Sequence, residues 1–102
     1  MTWAKLVAQA FSEDAAFADP LLEAAGHDEI AGLAPVVQAQ FPGSRFRRTT
    51  EVDSHHDFIR FGWELRAEDG SVIVAGIDAG VMSADGRLAR IVGFFGALTP
   101  LP

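Results

Sequence analysis

In SVIVAGIDAGVMSADGRLARIVGFFG (Ser71–Gly96), two long runs of apolar and small residues flank the short polar segment SADGR. Such runs, rich in Val and Ile and separated by an Asp-Gly pair, are the pattern of two antiparallel strands joined by a tight connection. A single carboxylate, Asp78, stands in the middle of the first run. Gly76 and Gly80 lie two residues to either side and share its face, where their missing side chains leave room beside the carboxyl. Val74 and Met82 fall on that face too, so the carboxyl is expected among apolar groups. Loss of hydration there disfavours the charged form and raises its pKa. The competing reading is a buried carboxylate satisfied by an arginine or by backbone amides, since buried charges require partners.

Upstream of this hairpin the period of two continues from Ser44. RFRRTTEVD alternates Phe46, Arg48, Thr50 and Val52 against Arg45, Arg47, Thr49 and Glu51, and HHDFIRFGWEL places Ile59, Phe61, Trp63 and Leu65 on one face. AEDGS supplies another tight connection in which Gly70 can take a positive φ. Before Ser44 the spacing is helical. Trp3, Leu6, Val7 and Ala10 predict a short amphipathic helix ending near Ser12, and Pro20 then forces Asp19 into an extended or turn position. Ile30, Leu33, Val36, Val37 and Phe41 predict a second helix capped by His27 or Asp28, kinked or restarted at Pro35 and stopped by FPG. The expectation is an α+β fold: a curved antiparallel sheet of about four strands, with two or three N-terminal helices on one face.

The 102 residues suit one domain, and 49% hydrophobic residues with eight Phe and two Trp suffice for a core. A net charge of −6 disfavours nucleic acid and anionic membrane surfaces as partners. No cysteine is present, which excludes disulfides, Cys-bound zinc and thiol chemistry. No run approaches the ~18 apolar residues of a membrane span, and the apolar start is cut by Gln9, Glu13 and Asp14, so a cytoplasmic protein is expected.

Taken in order, EDAAFADP, GHDEI and VAGIDAGVMSADGRLARIVGFFG resemble the corresponding segments of the nuclear transport factor 2-like superfamily, in particular ketosteroid isomerases and SnoaL-like polyketide cyclases. The likeness spans nearly the whole chain, and it implies a cone-shaped fold formed by residues 1–102. Carried over by position, it implies that Asp19 matches the general base of the isomerases and Asp78 the acid of their oxyanion hole. A neutral Asp78 would donate a hydrogen bond to a developing enolate while Asp19 removes a proton α to a carbonyl. The family's tyrosine donor has no counterpart, because the chain contains no tyrosine. A longer first helix is also expected by likeness and is not found before Thr2, so apolar surface around Trp3 and Phe11 should be covered by a second copy in a homodimer.

The ligand implied is a small apolar or aromatic molecule with one or two polar groups, bound without a cofactor. Its pocket is expected from His55, Ile59, Phe61, Trp63, Val74, Gly76, Gly80, Met82 and Phe94, the last one of two phenylalanines covering both faces of the final strand. Each has a plainer reading. Ile59, Phe61 and Trp63 equally suit an ordinary core, and Asp19 suits an ordinary turn before proline. His55 shares by alternation the face of Ile59. No metal site is expected, since adjacent His55 and His56 point to opposite faces. RFRR reads as a solvated strand edge or, alternatively, an anion site. Two functions stay open: an isomerase, cyclase or hydratase using the two aspartates, and a non-catalytic binding or dimerisation module.

Overall fold

The computed structural model describes residues 2–102. Its helices are α1 (Trp3–Ala10), α2 (Gly26–Ala31) and α3 (Leu33–Gln40). Its strands are β1 (Phe11–Ala18), β2 (Glu23–Ala25), β3 (Arg45–Arg48), β4 (Asp53–His55), β5 (Phe58–Arg66), β6 (Val72–Met82) and β7 (Leu88–Phe95). They form one sheet in the order β2-β1-β7-β6-β5-β3, with β4 paired to β5 beyond the end of β3. The α+β class is the expected one, but the sheet has seven strands where about four were predicted.

The largest departure is β1. FSEDAAFA continues directly from α1, where the sequence suggested a helix end and a bend. Its partners are β7, in parallel from the far end of the chain, and the nearby β2, antiparallel across the Asp19–Leu22 turn. A short segment whose longer ladder is to a strand at the far end of the chain offers little local periodicity to read. The sheet is therefore mixed, and the N-terminal segment lies beside the C-terminal strand.

Thr2 caps α1, its hydroxyl accepting from the Lys5 amide at 3.2 Å. At the other end, Arg87 Nη1 donates to the carbonyls of Ala8 (3.1 Å) and Phe11 (3.2 Å), so the β6–β7 turn ties down a helix terminus. The second helical region divides at Gly32 into α2 and α3, and Pro35 sits in the first turn of α3, where its missing N–H costs no helical bond. The cap falls at Ala25, not at His27 or Asp28, because Gly26 with φ 81° turns the chain one residue earlier. Gly70 (φ 88°) and Gly86 (φ 82°) turn the two tight connections as expected.

Val7, Ala15, Ala24 and Ile30 form a buried cluster between α1, α2, β1 and β2, with Phe11, Phe17 and Leu33 packed against it. Phe17 is the parallel partner of Ile91, so the helices cover the sheet face that also carries Trp63, Leu65 and Ile91. We call this the inner face. α3 has no buried residue, and Val36 and Phe41 stay 48% and 39% exposed despite their helical spacing. Among the described residues no helix is long and apolar enough to cross a membrane.

Ile91 is 3% exposed and its Cδ1 occupies the space above Gly80. Ile91→Ala should lower unfolding free energy in urea by about 2–5 kcal/mol. A loss below about 1 kcal/mol would mean that the inner face is not closely packed there.

Candidate functional site

The register of the sheet brings the two aspartates together. Asp78 of β6 lies opposite Phe61 on one side and Gly93 on the other. Ala18 of β1 is the parallel partner of Val92, so the next residue, Asp19, falls beside Gly93 on the same face. Asp19, Gly93, Asp78 and Phe61 thus form a row across the sheet. A Cβ on Gly93 would stand 2.7 Å from Asp78 Oδ1 and 3.1 Å from Asp19 Cβ. The two side chains converge over a residue that has none.

Asp78 is half-buried, and Trp63 Nε1 donates to its Oδ1 at 2.8 Å. Burial is the main force pushing its pKa above the usual carboxylate value; the indole hydrogen bond opposes it, and repulsion from Asp19 adds to it. Among the described residues no arginine pairs with this carboxyl; its hydrogen-bond partner is the indole, where the alternative reading expected an arginine or backbone amides.

The indole reaches Asp78 because Gly76 yields its place. Trp63 is the cross-strand partner of Gly76, and a Cβ there would lie 2.7 Å from the indole Cζ2. Phe46 and Phe95 hold the ring edge-on, each with its centroid 5.7 Å away.

Asp19 has a structural duty as well. Its Oδ1 accepts from the amides of Leu21 (2.9 Å) and Leu22 (2.8 Å), and its own N–H donates to Leu22 O (2.9 Å). This is a side-chain turn of the kind that Asp favours. Among the described residues, no hydrogen bond reaches Oδ2 of either aspartate. Each carboxyl therefore has one oxygen anchored and one open.

Several candidate pocket residues are placed differently from expectation. Gly76 and Gly80 do not leave empty space: Trp63 fills the first, Ile91 and Ile59 the second. His55 is cross-strand from Phe58 and packs on its ring at 5.6 Å, which puts it on the outer face. The turn at His56, with φ 51°, reverses the alternation on which the prediction relied. Phe94 also belongs to the outer face as the partner of Ile77, 64% exposed, and Phe95 takes the inner position. Ile59, Phe61, Trp63 and Val74 do lie on the inner face with Asp78, while Met82 sits beyond a bulge at the far end of β6.

Gly93 and Phe95 were missed. A glycine interrupting the apolar run RIVGFF was the available signal, since such glycines mark close approaches.

Two grooves lie elsewhere. An open groove of about 1030 Å³ runs between Gln38, Ser44, Arg45, Arg66 and Glu68, and a smaller one of about 340 Å³ lies along Phe17, Ala24 and Ile91. Neither is lined by Asp19 or Asp78.

No protein-family model and no curated protein matches the chain. Solved structures do. The chain is similar to a candidate isomerase of the SnoaL-like family from Agrobacterium tumefaciens C58, with 34% identity and TM-score 0.87 over 92% of this chain and 80% of the other. An NTF2-like protein of unknown function from Exiguobacterium sp. 255-15 aligns with 21% identity and TM-score 0.71, covering 92% and 82% of the two chains. A candidate SnoaL-like polyketide cyclase from Jannaschia sp. CCS1 has 13% identity and TM-score 0.73, covering 91% and 72%. The last two likenesses concern the fold alone.

The raised pKa of Asp78 gives a signed expectation. Between the unfolded value near 3.8 and the higher folded value, the folded state binds more protons than the unfolded one. Stability from protonated Asp78 is therefore present below about 3.8 and is lost as pH rises through the folded pKa. Asp78→Asn should remove that loss, so its stability relative to wild type should increase from acid to neutral pH in paired urea titrations. A constant difference would mean that the carboxyl titrates alike in both states. Gly93→Ala should push Asp78 Oδ1 off the indole, read as a shift of the Trp63 indole N–H resonance; an unmoved resonance would show that the contact yields elsewhere.

Proposed function

Since this chain belongs to the SnoaL-like group of the nuclear transport factor 2-like superfamily, we propose that residues 1–102 form a small-molecule-binding domain whose ligand sits on the inner face over Asp19, Gly93 and Asp78. The observation that carries this reading is the convergence of two carboxyls over Gly93, each with one oxygen anchored and one open. A half-buried Asp78 whose pKa is raised is suited to remain protonated and donate a hydrogen bond. Asp19 in its carboxylate form is suited to accept a proton.

The chemistry that follows is a cofactor-independent isomerisation or cyclisation of a carbonyl compound. Asp19 Oδ2 takes a proton from the carbon α to the carbonyl, and the C–H electron pair forms the C=C bond of an enolate. The carbonyl oxygen gains charge and is held by the proton on Asp78 Oδ2. Return of the proton from Asp19 to another carbon of the conjugated system restores the carbonyl and both carboxyls. Phe61, Trp63 and Phe95 provide apolar contact for a flat ligand with few polar groups.

Proton exchange tests this reading. For a panel of conjugated cyclic ketones in heavy water, the wild-type protein should catalyse α-deuteration, and Asp19→Asn and Asp78→Asn should each slow it by about 100-fold or more. Exchange no faster than in buffer for every compound would leave a non-catalytic binding module. That neither aspartate lines the two grooves described above is what favours that second reading.

The outer face supports a further part of the proposal, a homodimer. Phe58, Ile77 and Phe94 are 52%, 52% and 64% exposed there, with Ala75, Ala79 and Val92 between them. A second copy of the same apolar strip, bordered by Arg60, Glu64 and Arg90, is a matching partner. Light scattering should give a dimer mass for wild type and a monomer mass for Ile77→Glu; a monomeric wild type would refute this part. We place the protein in the cytoplasm, which a cysteine-free chain permits.

A further inference from the structure

Resting on the reading of Asp78 as a proton donor, we infer that Trp63 is a positioning residue, whose indole N–H reserves Oδ1 as an acceptor and thereby assigns the Asp78 proton to Oδ2. The indole nitrogen carries a hydrogen and no available lone pair, so it can only donate. With Nε1 2.8 Å from Oδ1, a hydrogen on Oδ1 along that line would face another hydrogen. A hydroxyl oxygen accepts less well than a carbonyl oxygen, so the indole donor favours the tautomer with the proton of a neutral Asp78 on Oδ2, the oxygen that no other described residue engages. Without a fixed donor, the proton of an aspartic acid is free to occupy either oxygen, and a ligand would meet a donor in only part of the population.

The ring is held for this purpose by three independent contacts. Gly76 gives it a flat seat, since a side chain there would collide with Cζ2 at 2.7 Å. Phe46 from β3 and Phe95 from β7 present edges to it from two strands. Only 8% of the residue is exposed, so solvent does not compete strongly for its N–H. An indole needed merely as packing volume does not require a donor aimed at the one inner-face carboxyl of β6. The charged neighbours in the same environment are Asp19, whose repulsion acts on Asp78, and Arg48, the cross-strand partner of Trp63 on β3.

The test uses ligand-free protein and follows the Asp78 carboxyl carbon and both indole N–H groups by NMR across pH. Trp3, 44% exposed on α1, is the internal reference. In wild type, the Trp63 N–H should shift with the same midpoint as Asp78, while Trp3 stays flat. In Asp78→Asn the Trp63 transition should vanish. In Trp63→Phe, which keeps an aromatic ring but removes the donor, the Asp78 midpoint should move up, because the carboxylate form has lost a hydrogen bond. A Trp63 N–H that ignores the Asp78 transition, or an unchanged Asp78 midpoint in Trp63→Phe, would overturn the inference. If Trp63→Phe fails to fold, the wild-type titration alone decides. Failure of α-deuteration with these titrations as expected would sink the catalytic reading and leave the indole's role intact.

Discussion

The contact between the Trp63 indole and the Asp78 carboxyl is the constraint around which the inner face is arranged. An indole is too large to lie flat on a sheet whose neighbouring positions carry side chains, so its cross-strand partner must be Gly76. Once seated, the ring extends along β6 by two residues, and its N–H arrives at Asp78. Phe46 and Phe95 then have a fixed edge to pack on, which links β3 and β7 across the two strands between them. The glycine, the tryptophan, the aspartate and two phenylalanines therefore form one packing problem with a single solution. A change at any of them propagates to the carboxyl.

The same arrangement costs stability. Burying Asp78 penalises its charge, and Asp19, brought close across Gly93, adds repulsion. The indole offsets part of this, since a hydrogen bond to a charged group contributes about 1.5–3 kcal/mol. A chain selected for stability alone would place an apolar residue at position 78, opposite Gly93 and Phe61. Asp85 is arranged the other way. Held by Ser83 and Arg87 in the β6–β7 turn, it has its pKa lowered to about 2 and is comfortable as an anion. The contrast between these two residues, seven positions apart on one hairpin, separates a hydrogen-bonded turn carboxylate from one held half-buried in a strand.

Much of this was legible in the sequence because it is local. The alternation through β5 and β6, the glycines at both hairpin turns and the lone carboxylate in an apolar run each follow from neighbours within a few residues. What escaped reading depends on partners far along the chain. FSEDAAFA has its longer ladder to β7 at the other end of the chain, and Gly76 is filled because Trp63, thirteen residues earlier, crosses over it. His55 went to the wrong face through a single unforeseen turn residue, His56, whose positive φ resets the alternation. Gly93 was legible as a glycine in a strand, yet its meaning required knowing that two aspartates meet above it.

The parallel pairing of β1 with β7 also orders events in time. Asp78 and Gly93 belong to one hairpin and can find each other by closing a short loop. Asp19 joins them only when the first strand docks against the last, a closure spanning most of the chain. During synthesis β1 can pair with β2 and the Val7, Ala15, Ala24 and Ile30 cluster can close, but the edge of β1 that meets β7 stays unpaired until Phe95 has left the ribosome. The carboxyl pair is thus among the last features to form, and the first to be lost if β1 detaches while the β5–β7 meander stays folded.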